Sequence, residues 1–370
     1  MTSNETAIHI IDTLVEHRIC FALYRLPYED TWHLVMQKDE QPIKLPQVGY
    51  LNGQKGFVIA PFQTSASCPV LLIKPDRVLH GKENIIRSLA TEVDSLPYWK
   101  KTNERMLPTH EQYPSKMHYA QAFEQFHEAV LKRRFSKLVL AQSGAVTLPE
   151  NFSPGNMFIK ACERYPRVMN YVVFTPQSEL WVGCTPEVLL TVEGQKGHTV
   201  SLAGTMTAKQ YADNPHWSSK NQLEQAFVSD YLRRQLRSYG LDIHEGSVHT
   251  VQAGDLVHQK TDFEFELENT SRMGDLLNLL HPTPAMGGIP KEEACRFIVE
   301  NEGLNRRYYS GFLGWLDPAG ETKIFVNLRC MNRRGNEAIL YAGGGILPNS
   351  DYLSEWKETQ YKMATILNIL

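Results

Sequence analysis

Between residues 171 and 203 the chain carries four short apolar runs, 171–175, 180–184, 188–192 and 199–203, with only a few residues between each and the next. Gaps that short cannot hold a helical crossover, so these runs must be strands of antiparallel sheet. The segment Glu193-Gly194-Gln195-Lys196-Gly197 supplies the turn before the last of them. Further strand-like runs stand at 21–24, 56–59, 70–73, 137–141, 263–267, 312–316, 323–330 and 338–342, and a hairpin turn with Gly335 is expected over 332–336. Helical periodicity marks 7–19 (Ile8, Ile11, Leu14, Val15) and 119–134 (Phe123, Phe126, Val130, Leu131), and long helices are expected over 218–239 and 350–370. Antiparallel strands with long helices at intervals place the chain in the α+β class. The polar stretch 100–114 reads as a linker between an amino-terminal third and the rest.

Composition narrows the partners. The chain has 370 residues, 42% of them hydrophobic and 21% charged, enough for a large core. A net charge of −3 and the lack of any block of Lys and Arg argue against nucleic acid or an anionic membrane as partner. The cysteines lie far apart without a CxxC pair, which indicates neither a zinc site nor a disulfide framework. With no basic-then-apolar start and no apolar run long enough to span a membrane, the expected location is cytoplasmic.

Four places carry chemistry. Glu355, Glu358, Thr359 and Lys362 share one face of the closing helix by their spacing. Taken alone they are as well explained as a solvated Glu–Lys face. Just before them, Gly343-Gly344-Gly345 is expected as a turn between strand and helix, able to aim backbone N–H groups at an anion. Together the two suggest a site for a carboxylate ligand with a metal. Glu224 lies on an apolar stripe with Phe227, Val228 and Tyr231, so it must be paired, protonated or metal-bound. Magnesium takes one or two protein carboxylates, and Glu224 and Glu358 from separate helices could supply them. Lys137 opens the strand 137–141. It is an ordinary solvated lysine unless burial pulls its pKa down from about 10.4 and makes it a base. Glu187, in Thr185-Pro186-Glu187 after a strand, is a turn carboxylate or a general acid with a raised pKa.

The ordered motifs Phe135-Ser-Lys-Leu-Val-Leu-Ala141, Gly183-Cys-Thr-Pro-Glu-Val-Leu-Leu190, Leu202-Ala-Gly-Thr205, Lys220-Asn-Gln-Leu-Glu224, Leu280-His-Pro-Thr-Pro-Ala-Met-Gly-Gly288, Arg306-Arg-Tyr-Tyr-Ser-Gly311, Asn327-Leu-Arg-Cys330, Tyr341-Ala-Gly-Gly-Gly-Ile346 and Glu355-Trp-Lys-Glu-Thr359 resemble the chorismate-utilising enzymes, which include isochorismate, salicylate, anthranilate and aminodeoxychorismate synthases. The resemblance runs from about Tyr119 to the carboxyl terminus. It implies a single domain over 1–370, in which residues 1–114 form a variable region and residues 115–370 the catalytic region. It also implies two antiparallel sheets packed face to face, helices outside and the site in the cleft. The His-Pro-Thr-Pro segment and Lys137 are similar to those of isochorismate synthases, and Ala203 stands where aminodeoxychorismate synthases have a lysine. The implied reaction is the Mg²⁺-dependent isomerisation of chorismate to isochorismate, feeding menaquinone or siderophore synthesis. Salicylate synthase is the nearest alternative, and a catalytically silent subunit is another.

By position, the resemblance makes Lys137 the base and Glu187 the acid. Glu224 and Glu358 become Mg²⁺ ligands, with Glu355 close through water. Tyr309 and Arg329 would take the enolpyruvyl carboxylate. Gly204, Thr205, Gly343, Gly344 and Gly345 would line the pocket, His281 would lie near the ring, and Lys362 would support the carboxylate end. Neither an amidotransferase subunit nor an oligomer is expected. Gln225, Gly303 and Ala141-Gln142-Ser143 depart from the family pattern.

Overall fold

The structure is a computed structural model that describes residues 2–100 and 116–370. The expected linker at 100–114 therefore lies, apart from Lys100, outside the described residues. Two large sheets dominate. The first has nine strands, in the order Gly288–Ile289, Lys137–Thr147, Glu337–Ile346, Cys330–Arg334, Glu179–Thr185, Met169–Thr175, Phe21–Arg25, Trp32–Met36 and Arg77–His80. The second has ten, running Ile243–Glu245, Leu256–Glu266, Lys196–Thr207, Val188–Glu193, Glu321–Val326, Phe312–Leu316, Gly56–Ala60, Val70–Ile73 and Ile43–Leu45, with His249–Ala253 also pairing to Leu256–Glu266. Neighbouring strands are antiparallel, for example Tyr171 against Gly183 and Leu313 against Ile59.

The sheets pack face to face. Tyr24, Tyr171, Trp181 and Tyr341 from the first meet Phe57, Leu71, Leu313 and Phe325 from the second in one buried cluster. The outer face of the first sheet is closed by Ile10 and Leu14 of the helix Ser3–Glu16, Phe158 of Pro154–Arg164 and Ile366 of Tyr352–Leu367. Val228 and Leu232 of Ser219–Ser238 and Leu276 of Met273–Leu280 close the second. With both faces covered, the inner strands read as continuous apolar runs rather than alternating ones. The long helix begins where Ser218 accepts from Asn221 N–H, and the closing helix where Asp351 accepts from Ser354 N–H. Among the described residues no helix is long and apolar enough to cross a membrane.

Three expectations change. The strands Glu179–Thr185 and Val188–Glu193 do not pair with each other. Each forms a hairpin with its other neighbour, and the two hairpins lie in opposite sheets. The run 323–330 is likewise two strands, Glu321–Val326 and Cys330–Arg334, one in each sheet. At Thr185-Pro186-Glu187 and at Asn327-Leu328-Arg329 the chain thus crosses directly from one sheet to the other. The crossings are laced together, Cys184 N–H donating to Arg329 O and Val326 N–H to Glu187 O, both at 2.9 Å. Short spacing dictates antiparallel direction but not which sheet a strand joins. Third, Gly343-Gly344-Gly345 is not a turn. It lies inside the strand Glu337–Ile346, opposite Ala141, Leu140 and Val139, so its N–H groups are not arranged as an anion nest. The hairpin at Gly335 stands as expected, with Arg334 opposite Glu337.

Candidate functional site

A cavity opens where these two crossings meet the first sheet. Glu187 and Arg329 reach it from the crossings, Glu224 from the helix Ser219–Ser238, and Tyr309 from the segment before Phe312–Leu316. Gly204 and Thr205 enter through a bulge. The pairing of Lys196–Thr207 with Leu256–Glu266 slips between Ala203 and Thr205, and Gly204 takes a φ of 70° there. A Cβ at Gly204 would also press on Asn221 and Gln259 at 3.1 Å. Gly343, Gly344, Gly345 and Lys362 complete the predicted residues on the cavity wall.

The glycine strand works by close approach. A side chain at Gly345 would run into the Glu224 carboxylate and come within 2.9 Å of Lys137 Cε. One at Gly344 would sit 3.1 Å from Glu355 Oε2 and 3.8 Å from Glu358 Oε1. The bare backbone therefore lets three carboxylates and a lysine lie against one stretch of strand. Each carboxylate faces an ammonium group: Glu224 Oε1 lies 3.0 Å from Lys137 Nζ, Lys362 Nζ donates to Glu358 at 2.6 Å, and Lys220 Nζ donates to Glu355 Oε1 at 2.5 Å. Lys362 also donates to Gly343 O at 2.8 Å. Lys137, which as a strand-opening lysine would ordinarily be solvated, is completely buried. Burial opposes ionisation of Glu224, but Lys137 and Lys220 outweigh it and hold its pKa down to about 2. Burial raises Glu355 above the ordinary carboxylate range despite the pull of Lys220.

Among the described residues no three acidic, His or Cys side chains converge tightly enough to hold a metal ion as they stand. The lysines hold the carboxylates in separate pairs instead. The donor set still suits a hard divalent cation, because all three groups are carboxylates and Glu355 Oε2 is buried without a hydrogen-bond partner among the described residues.

Glu187 is the opposite case from Glu224. It is 3% exposed and has no ion-pair partner within bonding range among the described residues, and burial, only partly offset by Lys137 and Arg329, pushes its pKa up to about 8. It is therefore mostly protonated at neutral pH. Arg329, held at a φ of 46°, donates to His258 Nε2 at 3.1 Å, while His258 Nδ1 lies 3.0 Å from Gly204 O. Burial and the Arg329 charge lower His258 to about 3, so its ring is neutral, with the Nδ1 proton given to the Gly204 carbonyl. Tyr309 stacks on Tyr341 with ring centres 5.2 Å apart.

His281 does not belong to the cavity. Its Nε2 lies 3.0 Å from Pro61 O and 3.2 Å from Phe62 O, and its ring meets Phe312 edge-on at 5.0 Å. Burial lowers it to about 4, the behaviour of a satisfied core histidine. Sequence reading missed two residues, His258 and the pairing role of Lys220. His258 sits in a strand that begins at Leu256, seven positions before the run expected at 263, where polar Gln259, Lys260 and Thr261 hide the strand pattern. The Lys220–Glu355 pair joins two helices far apart in the chain, and no local spacing signals it.

Comparison with known proteins places the chain in a family. The family described as chorismate binding enzyme matches residues 65–370. The isochorismate synthase EntC of Escherichia coli (strain K12) is 30% identical over 241 residues, covering 63% of this chain and 62% of that protein, so the match spans under two thirds of its length. Among solved structures, MenF, the menaquinone-specific isochorismate synthase from Escherichia coli, superposes with a TM-score of 0.78 at 20% identity over 98% of this chain and 90% of that one. Anthranilate synthase component I from Streptococcus pneumoniae TIGR4 gives 0.61 at 15% identity over 94% and 92%. At those identities the two structures share the fold alone. Every residue that lines the cavity falls inside the matched stretch 65–370, and the chain belongs to the chorismate binding enzyme family.

Proposed function

We propose that the chain is an isochorismate synthase, adding water at C2 of chorismate and expelling the C4 hydroxyl. The observation that carries this is the pair formed by Glu187, a buried carboxyl protonated at neutral pH on the cavity wall, and Lys137, a buried lysine whose Nζ lies 3.0 Å from Glu224 on the same wall. In its unprotonated form Lys137 takes a proton from the attacking water, and Glu187 gives one to the departing oxygen, so the ring exchanges one hydroxyl for another without net redox change. Arg329, steadied by His258, and Tyr309 hold the enolpyruvyl carboxylate. Gly204, Thr205 and Gly343 to Gly345 let the ring lie close to backbone.

Glu224 and Glu358 would hold Mg²⁺ directly and Glu355 through water, with Lys362 beside the ring carboxylate. When bound, the ion supplies positive charge that neutralises that carboxylate. A dianionic substrate otherwise meets a protein of net charge −3. Ala203, on the second sheet, offers no amine for the lysine chemistry of aminodeoxychorismate synthases. The test is incubation with chorismate and Mg²⁺ followed by chromatography, with and without an isochorismate-specific lyase. Isochorismate, with pyruvate only after the lyase is added, supports the reading. Salicylate and pyruvate from the protein alone would move it to salicylate synthase, and unchanged chorismate would overturn it.

A further inference from the structure

Of the three lysines in the carboxylate cluster, Lys362 lines the cavity and Lys137 reaches Glu224 on its wall at 3.0 Å, and both act in the proposed reaction. Lys220 does not. It lies one helical turn before Glu224 and does not line the cavity, yet its ammonium is bound to Glu355 Oε1 at 2.5 Å. Glu355 is 1% exposed, and its other oxygen, Oε2, has no partner among the described residues and faces the Gly344 backbone. The pair therefore ties up one oxygen of the third carboxylate and leaves a single free oxygen toward the cluster.

We propose that Lys220 is the positioning residue that sets the ion preference of this site, by holding Glu355 back from direct ligation. The inference rests on the metal reading above. Glu224 and Glu358 also face lysines, but Lys137 and Lys362 are given to the attacking water and the ring carboxylate in the proposed reaction. With Glu355 kept by Lys220, two carboxylates therefore remain for direct contact, which suits Mg²⁺ because that ion keeps several waters and demands compact octahedral geometry. Releasing Glu355 would offer a third carboxylate able to bind through both oxygens, the richer oxygen set that Ca²⁺ accepts at six to eight ligands. Loss of positive charge alone would strengthen both ions similarly. Release of Glu355 must favour Ca²⁺.

The test is calorimetric titration of the full chain with MgCl2 and with CaCl2, each with chorismate present, which reads binding without requiring turnover. Lys220→Met should tighten Ca²⁺ on the order of tenfold more than Mg²⁺, the scale by which ligand count tunes such sites. Lys220→Arg should keep the parent ratio. Adding Glu355→Gln to Lys220→Met should abolish the gain, which shows that it runs through Glu355. If Lys220→Met does not fold, Lys220→Gln, checked by thermal unfolding, takes its place. A Ca²⁺ to Mg²⁺ ratio unchanged in a folded variant overturns the proposal while leaving the metal reading intact. Failure of the parent chain to bind either ion, or retention of full binding by Glu358→Gln, overturns the metal reading and this inference with it.

Discussion

Replacing Glu187 by Gln separates the chemistry of the acid from its effect on the fold. In the folded chain burial lifts this carboxyl from an ordinary 4.5 to about 8. At 1.36 kcal/mol per pKa unit, that is a preference of about 5 kcal/mol for the neutral form. The sign follows from the folded pKa lying above the unfolded one. The stabilisation is whole below pH 4.5, declines as pH rises, and is gone above about 8. Glutamine is neutral throughout, so the parent should lose stability relative to Glu187→Gln between those limits, with about 5 kcal/mol as the ceiling. Urea unfolding at intervals from pH 5 to 9 measures the gap, and parallel curves would refute the assignment of a buried, neutral carboxyl. Activity gives the second half. In the parent kcat/KM should fall above pH 8 as the proton is lost. Glu187→Gln should lose on the order of 10²- to 10⁴-fold in kcat with little change in KM, the usual size of a general-acid contribution. A flat profile from pH 6.5 to 9.5 would exclude Glu187 as the proton donor.

Gly345→Ala should remain folded but lose affinity for Mg²⁺ and chorismate together, because its methyl displaces the Glu224 carboxylate; retained binding by calorimetry would show that the carboxylate has room to move. The buried pair Glu302–Arg306 ties the wall to the base strand, Arg306 donating to Met286 O and to Val139 O at 2.8 Å and Glu302 accepting from Ala141 N–H at 2.6 Å. Glu302→Gln alone should cost about 3–5 kcal/mol in denaturant unfolding by stranding the Arg306 charge. Joint replacement of both residues by apolar ones should recover much of that loss. His258→Phe removes the acceptor for Arg329. It should raise KM for chorismate more than it lowers kcat, and an unchanged KM in steady-state kinetics would detach His258 from substrate binding.

Sequence periodicity marked the long apolar strands and four of the helices, because apolar spacing and turn residues are local, but it left helices such as Pro154–Arg164, Met273–Leu280 and Lys291–Asn301 and strands such as Trp32–Met36 unmarked. It placed Glu224 on a helix and foresaw a buried carboxylate needing a partner, since Phe227, Val228 and Tyr231 share its stripe. It fixed the antiparallel direction of the strands from 169 to 207, where the gaps leave no alternative. Sheet membership was another matter. That Glu187 and Arg329 ride on crossings between sheets follows from how two hairpins divide across a shared core, and nothing in either crossing's own residues specifies it. The same limit hid the use of the glycine strand. Three glycines read locally as a turn, but here they stay in register with Leu140 and its neighbours and clear space for side chains arriving from two helices, one distant in sequence and one that follows directly. His281, in a persuasive motif, faces backbone carbonyls at Pro61 and Phe62, whereas His258, in an inconspicuous polar strand, meets Arg329. A residue's chemistry depends on which surfaces face it, and those surfaces came from elements 70 to 220 positions away along the chain, brought together only by packing.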